Sequence, residues 1–187
     1  MLTQSETAGD SMKRFYGITG KARSSDGTAY FEYSKQMPLR PMFKVGPIES
    51  WEPPLGEFRG GPLSDLLNND TFDMLCSAKL RDAIEGGKSD ADSLQWLDAI
   101  VEDEKGKEHI YFVMHLPEPH DVLNKTLTTH TRQGHIIRPA ISVKLAELYN
   151  IFRFDADDFR FYLSDSMRKV IKEANCTNVV FDSILTV

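Results

Sequence analysis

Leu94-Gln95-Trp96-Leu97-Asp98-Ala99-Ile100-Val101 and Ile110-Tyr111-Phe112-Val113-Met114-His115-Leu116 are two β-favouring runs, joined by the charged stretch Glu102-Asp103-Glu104-Lys105-Gly106-Lys107-Glu108. A charged, glycine-bearing connection between such runs predicts an antiparallel hairpin with a long exposed tip. Pro117-Glu118-Pro119 ends the return strand, because proline has no amide to give to a ladder.

On either side of this hairpin the same grammar occurs. Upstream, Phe72-Asp73-Met74-Leu75 reads as a strand leading to Ser77, a residue type whose side-chain oxygen caps the first amides of a helix. Leu80, Ala83 and Ile84 then share one helical face, and Gly86-Gly87 stops the helix. Downstream, Phe161-Tyr162-Leu163 is a strand and Ser164 a cap. Met167, Val170, Ile171 and Ala174 follow at i, i+3, i+4 and i+7, the spacing of an amphipathic helix. Asp165 in its first turn, and Lys169 and Lys172 further on, suit the helix dipole. An offset of 87 sets Ser77 on Ser164, Leu80 on Met167, Arg81 on Arg168 and Ile84 on Ile171, which makes this a repeated structural unit.

Shorter strands are expected from Lys13 to Ile18, at Tyr30-Phe31-Glu32-Tyr33, Ile136-Ile137, Ile151-Phe152-Arg153-Phe154 and Val179-Val180-Phe181. Extended chain is expected at Ile141 and Val143, a helical turn at Leu145-Ala146-Glu147-Leu148-Tyr149 and a short helix start at Pro62-Leu63-Ser64-Asp65-Leu66-Leu67. Many short strands and few helices without regular βαβ alternation predict an α+β fold with a mainly antiparallel sheet. Residues 1–11 are polar and patternless and read as a disordered tail, leaving residues 12–187 as a single domain. The span 38–62 holds six of the nine prolines. It is expected to be an ordered, extended surface loop anchored by Trp51 and Phe58, with neither a long helix nor a central strand.

The 187 residues carry 22 Lys+Arg against 28 Asp+Glu, a net charge of −6. All of the surplus lies in residues 61–125, which hold 14 acidic and 6 basic side chains. Its densest parts are Ser89-Asp90-Ala91-Asp92 and Glu102-Asp103-Glu104. Such a region is either a solvated face that keeps the protein soluble or a docking surface for a basic partner, since a one-signed patch speeds encounter and rejects like charge. Nucleic acid is a poor partner for this chain, because a phosphate backbone demands clustered Lys and Arg. No apolar run is long enough to cross a bilayer and no signal pattern opens the chain. Two cysteines, Cys76 and Cys176, are too few for a disulfide framework, which points to a reducing cytoplasm.

Catalytic patterns are absent. His115 and His120, and His130 and His135, form two H-x4-H spacings with Glu118 and Asp121 near the first, and imidazole with carboxylate can ligate zinc or iron. Prolines 117 and 119 forbid a continuous helix across the first pair, so this is no HExxH motif, and a structural or exposed role is the plainer reading. Asp155-Ala156-Asp157-Asp158 lacks the glycine and distal glutamate of a calcium loop and reads as a hydrated turn. Ser77 and Ser164 sit in no nucleophile elbow, Gly60-Gly61-Pro62 is no phosphate cradle, and Cys76 reads as a buried inert thiol. Trp51 and Trp96 read as core residues. The expectation is therefore a protein that is no enzyme and holds no cofactor or metal. The alternatives are a metal-dependent hydrolase using His115, His120, His130 and His135, or a small-molecule module walled by the aromatic Pro-rich segment.

The order of segments resembles the bacterial polymorphic-toxin immunity proteins of immunity family eleven, long catalogued as a domain of unknown function. The likeness covers roughly residues 63–182, a span typical of one domain. It rests on Phe72 to Ile84, the hairpin, His120-Asp121-Val122-Leu123-Asn124, Ile151-Phe152-Arg153 and Tyr162-Leu163-Ser164 with its helix. The start at Met12-Lys13-Arg14-Phe15-Tyr16 is also similar. Asn124 stands where an acidic residue is more usual, and Asn178 where a glycine often precedes the last strand. The second departure is mild, because Asn tolerates a left-handed backbone. The resemblance implies a small cytoplasmic protein, encoded beside a toxin, that binds the toxin and blocks it. If that toxin is basic, Asp90, Asp92, Glu102, Asp103 and Glu104 are the expected contacts.

Overall fold

The computed structural model describes residues 13–21, 27–31, 44–72, 74–154 and 160–187. The expected tail at 1–11, the first part of the Pro-rich span and the acidic run 155–158 lie outside the described residues. Within them the chain forms β1 (Phe15–Gly20), β2 (Thr28–Phe31), β3 (Leu55–Arg59), β4 (Asn68–Asn69), β5 (Leu75–Cys76), α1 (Ala78–Gly87), β6 (Gln95–Glu102) and β7 (Glu108–His115). There follow β8 (Thr129–His130), β9 (Ile136–Arg138), β10 (Ala140–Ile141), α2 (Val143–Ala146), β11 (Ile151–Phe152), β12 (Phe161–Ser164), α3 (Asp165–Glu173), β13 (Val179–Ser183) and β14 (Leu185–Thr186). The fold is α+β with mostly antiparallel sheets and few short helices, as the sequence predicts.

The larger sheet has the order β4-β2-β3-β6-β7-β5 and the smaller one β11-β12-β1-β13. The predicted hairpin lies within the first, in unbroken register from Gln95 opposite His115 to Glu102 opposite Glu108. Alternation sorts the side chains of the larger sheet. Leu97, Ala99, Val101, Tyr111 and Val113 point to one face and bury against Phe31, Phe58, Leu67 and Phe72. On the other face, Trp96 and Met114 meet α1 and α3 in a core that also takes Ile18 and Leu163 from the smaller sheet. This shared core joins the two sheets. A third cluster, around Phe152, Phe154 and Tyr162, packs the smaller sheet against Ile141 and Ala146.

The two strand–cap–helix units correspond in detail. Ser77 accepts the Leu80 amide at 3.2 Å, and Ser164 accepts the Met167 amide at 3.2 Å. Leu80, Ile84, Met167 and Ile171 all lie in the joining core. The residue before each cap pairs with an aromatic on the neighbouring strand, Cys76 with Phe112 and Leu163 with Tyr16. Over each of those rings stacks the matching arginine, Arg81 at 4.0 Å from the Phe112 centroid and Arg168 at 4.2 Å from that of Tyr16. At Gly87 α1 lies close against α3: a Cβ there would stand 2.7 Å from Met167 Sδ.

Three expectations need correction. Val143, expected in extended chain, is instead the first residue of α2, after Ser142 at the N-cap. No helix starts at Pro62; residues 62–67 are loop, with a single bridge from Leu66 to Cys76 and the Ser64 hydroxyl turned back on the Leu66 carbonyl at 2.8 Å. The Pro-rich span is not all loop either, since Leu55–Arg59 forms β3, an interior strand between β2 and β6. No proline falls within it: Pro53 and Pro54 come just before and Pro62 after. Pro54 supplies its carbonyl to the Ile100 amide at 2.9 Å, so the position without a donor still serves the sheet as an acceptor. Upstream of β3, Gly46 is pinned to Pro117, Ile48 and Gln95 exchange two bonds of 2.8 Å, and the Trp51 indole donates to the Asp98 carbonyl at 2.7 Å. Trp51 and Phe58 are anchors, as expected.

Candidate functional site

The five acidic residues singled out in the sequence fall at opposite ends of β6, which spans about 23 Å. Asp90 is exposed in the turn before β6. Asp92 is half-buried and works for the fold: its carboxylate accepts the Ser89 amide at 2.7 Å, the Asn150 amide at 2.9 Å and the Ile151 amide at 3.3 Å. Glu102, Asp103 and Glu104 lie at the hairpin tip. Asp103 organises the tip, accepting the Lys105 and Lys107 amides at 2.9 and 3.0 Å and facing His109 Nε2 at 2.9 Å. The bond from His109, with those amides, holds its carboxyl down at about 2. Glu104 Oε1 accepts the Gly60 amide at 3.0 Å, which braces the tip against the turn after β3. Glu102 points from the sheet itself.

Strand register gives Glu102 a different set of neighbours from those the sequence suggests. Glu57 on β3, Glu102 on β6 and Glu108 on β7 are successive register partners, so three carboxylates form one row across the sheet. Tyr30 on β2 extends the row beside Glu57. Two residues away along the strands, Leu55, Ile100 and Ile110 make a parallel apolar row. Leu55 is 54% and Ile110 63% exposed. Both rows lie on the face that α1 covers only at its other end, where Trp96 and Met114 are packed. The result is an open face about 10 Å across from β3 to β7, with an apolar stripe beside an acidic one. Within it Arg59 pairs with Glu57 at 2.7 Å and lies over the Tyr30 ring.

Glu57, Glu108, Leu55 and Ile110 belong to this face and are not among the contacts expected from the sequence. Period-two spacing puts Glu108, Ile110, Phe112 and Met114 on one face of β7 and Tyr111 and Val113 on the other, and of the first set only Glu108 and Ile110 are exposed. Leu55 and Glu57 were hidden by the prolines around them.

The histidines do not converge as a group of four. His115 is buried, with Nε2 2.9 Å from the Gly46 carbonyl, and holds the 44–48 segment to the end of β7. His120, His130 and His135 line one cleft of about 600 Å³ with Asp121, Gln133 and Phe154. His120 stacks on Tyr149 with ring centroids 4.1 Å apart, and burial lowers its pKa. Among the described residues no three His, Cys, Asp or Glu side chains are grouped so as to hold a metal ion. Cys76 is fully buried, which pushes its thiol far up, and neither cysteine is in a disulfide. No helix among the described residues is long and apolar enough to cross a membrane.

No protein-family model matches the chain, and no curated protein matches it.

Proposed function

We propose that this is an immunity protein of a bacterial polymorphic-toxin system, which binds a basic toxin in the cytoplasm and blocks it through the open face of the six-stranded sheet. One observation carries the reading: the apolar row Leu55–Ile100–Ile110, exposed at Leu55 and Ile110, lies beside the row Glu57–Glu102–Glu108 on strands fixed by the core. An apolar centre with a charged flank is the anatomy of a protein–protein contact, and a surface held by regular strands needs little ordering on binding. The acidic row suits a partner whose own surface is basic, and its field favours fast encounter. The order of segments resembling immunity family eleven points the same way.

The test is co-purification with the protein encoded beside it. A one-to-one complex that silences a toxic activity is the expected result. The triple reversal Glu57→Lys, Glu102→Lys and Glu108→Lys should slow association about 10- to 100-fold at low salt. Unchanged association by that variant would remove the open face from the reading, and no complex at all would remove the immunity role.

A second reading is a small-molecule site, placed not at the Pro-rich segment expected from the sequence but in the cleft lined by His120, His130 and His135. It predicts fragment-induced NMR shifts at His120, His130 and His135, and a fragment screen that moves none of the three disposes of it.

A further inference from the structure

The open face ends at a strand edge that is only half covered. β7 pairs along its full length with β6, but on its other side β5 reaches only Phe112 and Val113. The Met114 amide donates to the Met74 carbonyl at 3.1 Å. In an antiparallel ladder the residues whose amide and carbonyl face a given neighbour recur at every second position. Positions 112 and 114 therefore face β5, and Ile110 and Glu108 turn their backbone groups the same way, past the point where the chain leaves β5 through Ser77 into α1. Among the described residues no strand pairs with Glu108 or Ile110 on that side. Proteins usually blunt such an edge with lysine, proline or a covering loop. This one carries an isoleucine that is 63% exposed.

We propose that the edge of β7 at residues 108–111 is a strand-addition site, and that its occupant is an extended, basic segment of the partner protein. The inference rests on the proposed binding role of the open face and adds how the partner is held. A strand laid there would extend both rows by one place. Its side chain beside Glu108 continues the row Glu57–Glu102–Glu108, so charge complementarity calls for Lys or Arg. Its side chain two residues away continues Leu55–Ile100–Ile110, which calls for an apolar residue. The recognised segment is thus basic-x-apolar, and the backbone groups of Glu108 and Ile110 supply the ladder bonds.

The probe is the capped peptide acetyl-Thr-Lys-Thr-Val-Thr-Lys-Thr-amide, which presents lysine and valine two residues apart in either strand direction. Titrated into the full chain, it should slow hydrogen exchange at the Glu108 and Ile110 amides about tenfold or more, and the same peptide with glutamate for lysine should not. Ile110→Pro should abolish peptide binding while keeping the fold, because the amide it removes faces away from β6. Ile110→Ala, which keeps the amide, should weaken binding only several-fold. Exchange at the two amides as fast as in the free protein, or undiminished binding by Ile110→Pro, overturns the proposal. The two readings separate cleanly. Toxin capture with no peptide protection overturns the strand addition alone, whereas peptide protection with no toxin captured supports the docking edge and overturns the neutralising role.

Discussion

Replacing Asp65 by alanine should unfasten the two strand–cap–helix units from each other. The Asp65 carboxylate accepts the Ser77 hydroxyl at 2.7 Å, the Thr177 amide at 2.7 Å and the Thr177 hydroxyl at 3.0 Å, with Lys79 Nζ at 3.4 Å. One side chain thereby ties the loop before β5 to the α1 cap and to the turn after α3. It is 13% exposed, so water can replace few of these bonds. Hydrogen bonds to a charged group contribute about 1.5–3 kcal/mol each and are not additive, which sets the loss for Asp65→Ala at about 3 kcal/mol. For a chain of this length the midpoint of melting should fall by roughly 6–12 °C. Acid supplies an independent check. Burial would raise the Asp65 carboxyl, but the bonds from Ser77 and Thr177 and the charge of Lys79 outweigh it and hold the pKa below the ordinary value. A carboxyl lowered on folding stabilises fully above its unfolded value, near 3.9, and that contribution disappears as pH falls through the folded value. The stability gap between wild type and Asp65→Ala, measured by urea unfolding, should be flat from about pH 7 to 5 and should shrink below about pH 4. A gap under about 1 kcal/mol at neutral pH, or one that acid leaves unchanged, refutes the reasoning.

Both cap serines also donate a hydrogen bond, Ser77 to Asp65 Oδ1 at 2.7 Å and Ser164 to Asn150 Oδ1 at 2.8 Å. Ser77→Ala and Ser164→Ala should therefore each cost about 2–3 kcal/mol, as thermal melts will show. Gly56 faces Phe31 across the β2–β3 pair, and a Cβ there would stand 2.6 Å from the ring; Gly56→Ala should cost about 1–3 kcal/mol in the same assay. Asp92→Ala should lose about 2 kcal/mol and leave partner affinity unchanged, whereas Glu108→Lys should alter stability by no more than about 0.5 kcal/mol and slow association. The reverse pattern would return the partner contact to the 90–92 turn.

What could be read from the sequence is what local chemistry controls. Ser77 and Ser164 announce their helices because an orphan amide needs a nearby oxygen, and Leu80, Ile84, Met167 and Ile171 repeat at helical spacing. The β6–β7 hairpin is legible because its partners are near in sequence. β3 is not legible because Pro53 and Pro54 dominate their surroundings, while what makes Leu55–Arg59 a strand is its pairing with Tyr30, Phe31 and Ile100 elsewhere in the chain. The acidic face failed for the same reason. Clustering along the sequence placed Asp90 and Asp92 with Glu102, although Asp92 is consumed by the amides of Ser89, Asn150 and Ile151. Asn178 shows the opposite case. It takes φ +61° as its residue type allows, and its side chain then bonds to the Leu66 carbonyl and Asn68, contacts that only the fold reveals.

The glutamate row is hard to explain as a device for solubility. Net charge keeps a protein dispersed wherever the charges sit, so solubility asks nothing of strand register. Glu102 nevertheless stands opposite Glu57 on one side and Glu108 on the other, and like charges directly opposite oppose the sheet by a few tenths of a kcal/mol per pair. Arg59 offsets this only at Glu57. The sheet therefore retains a small repulsion along the charged flank of its open face, next to the half-buried Ile100 and the exposed Ile110. A basic side chain set beside Glu108 would turn that repulsion into attraction just as Ile110 leaves water. Both contributions depend on one alignment of the partner, so a register slip of one residue would lose them together, and the same row that weakens the free sheet would make the contact selective.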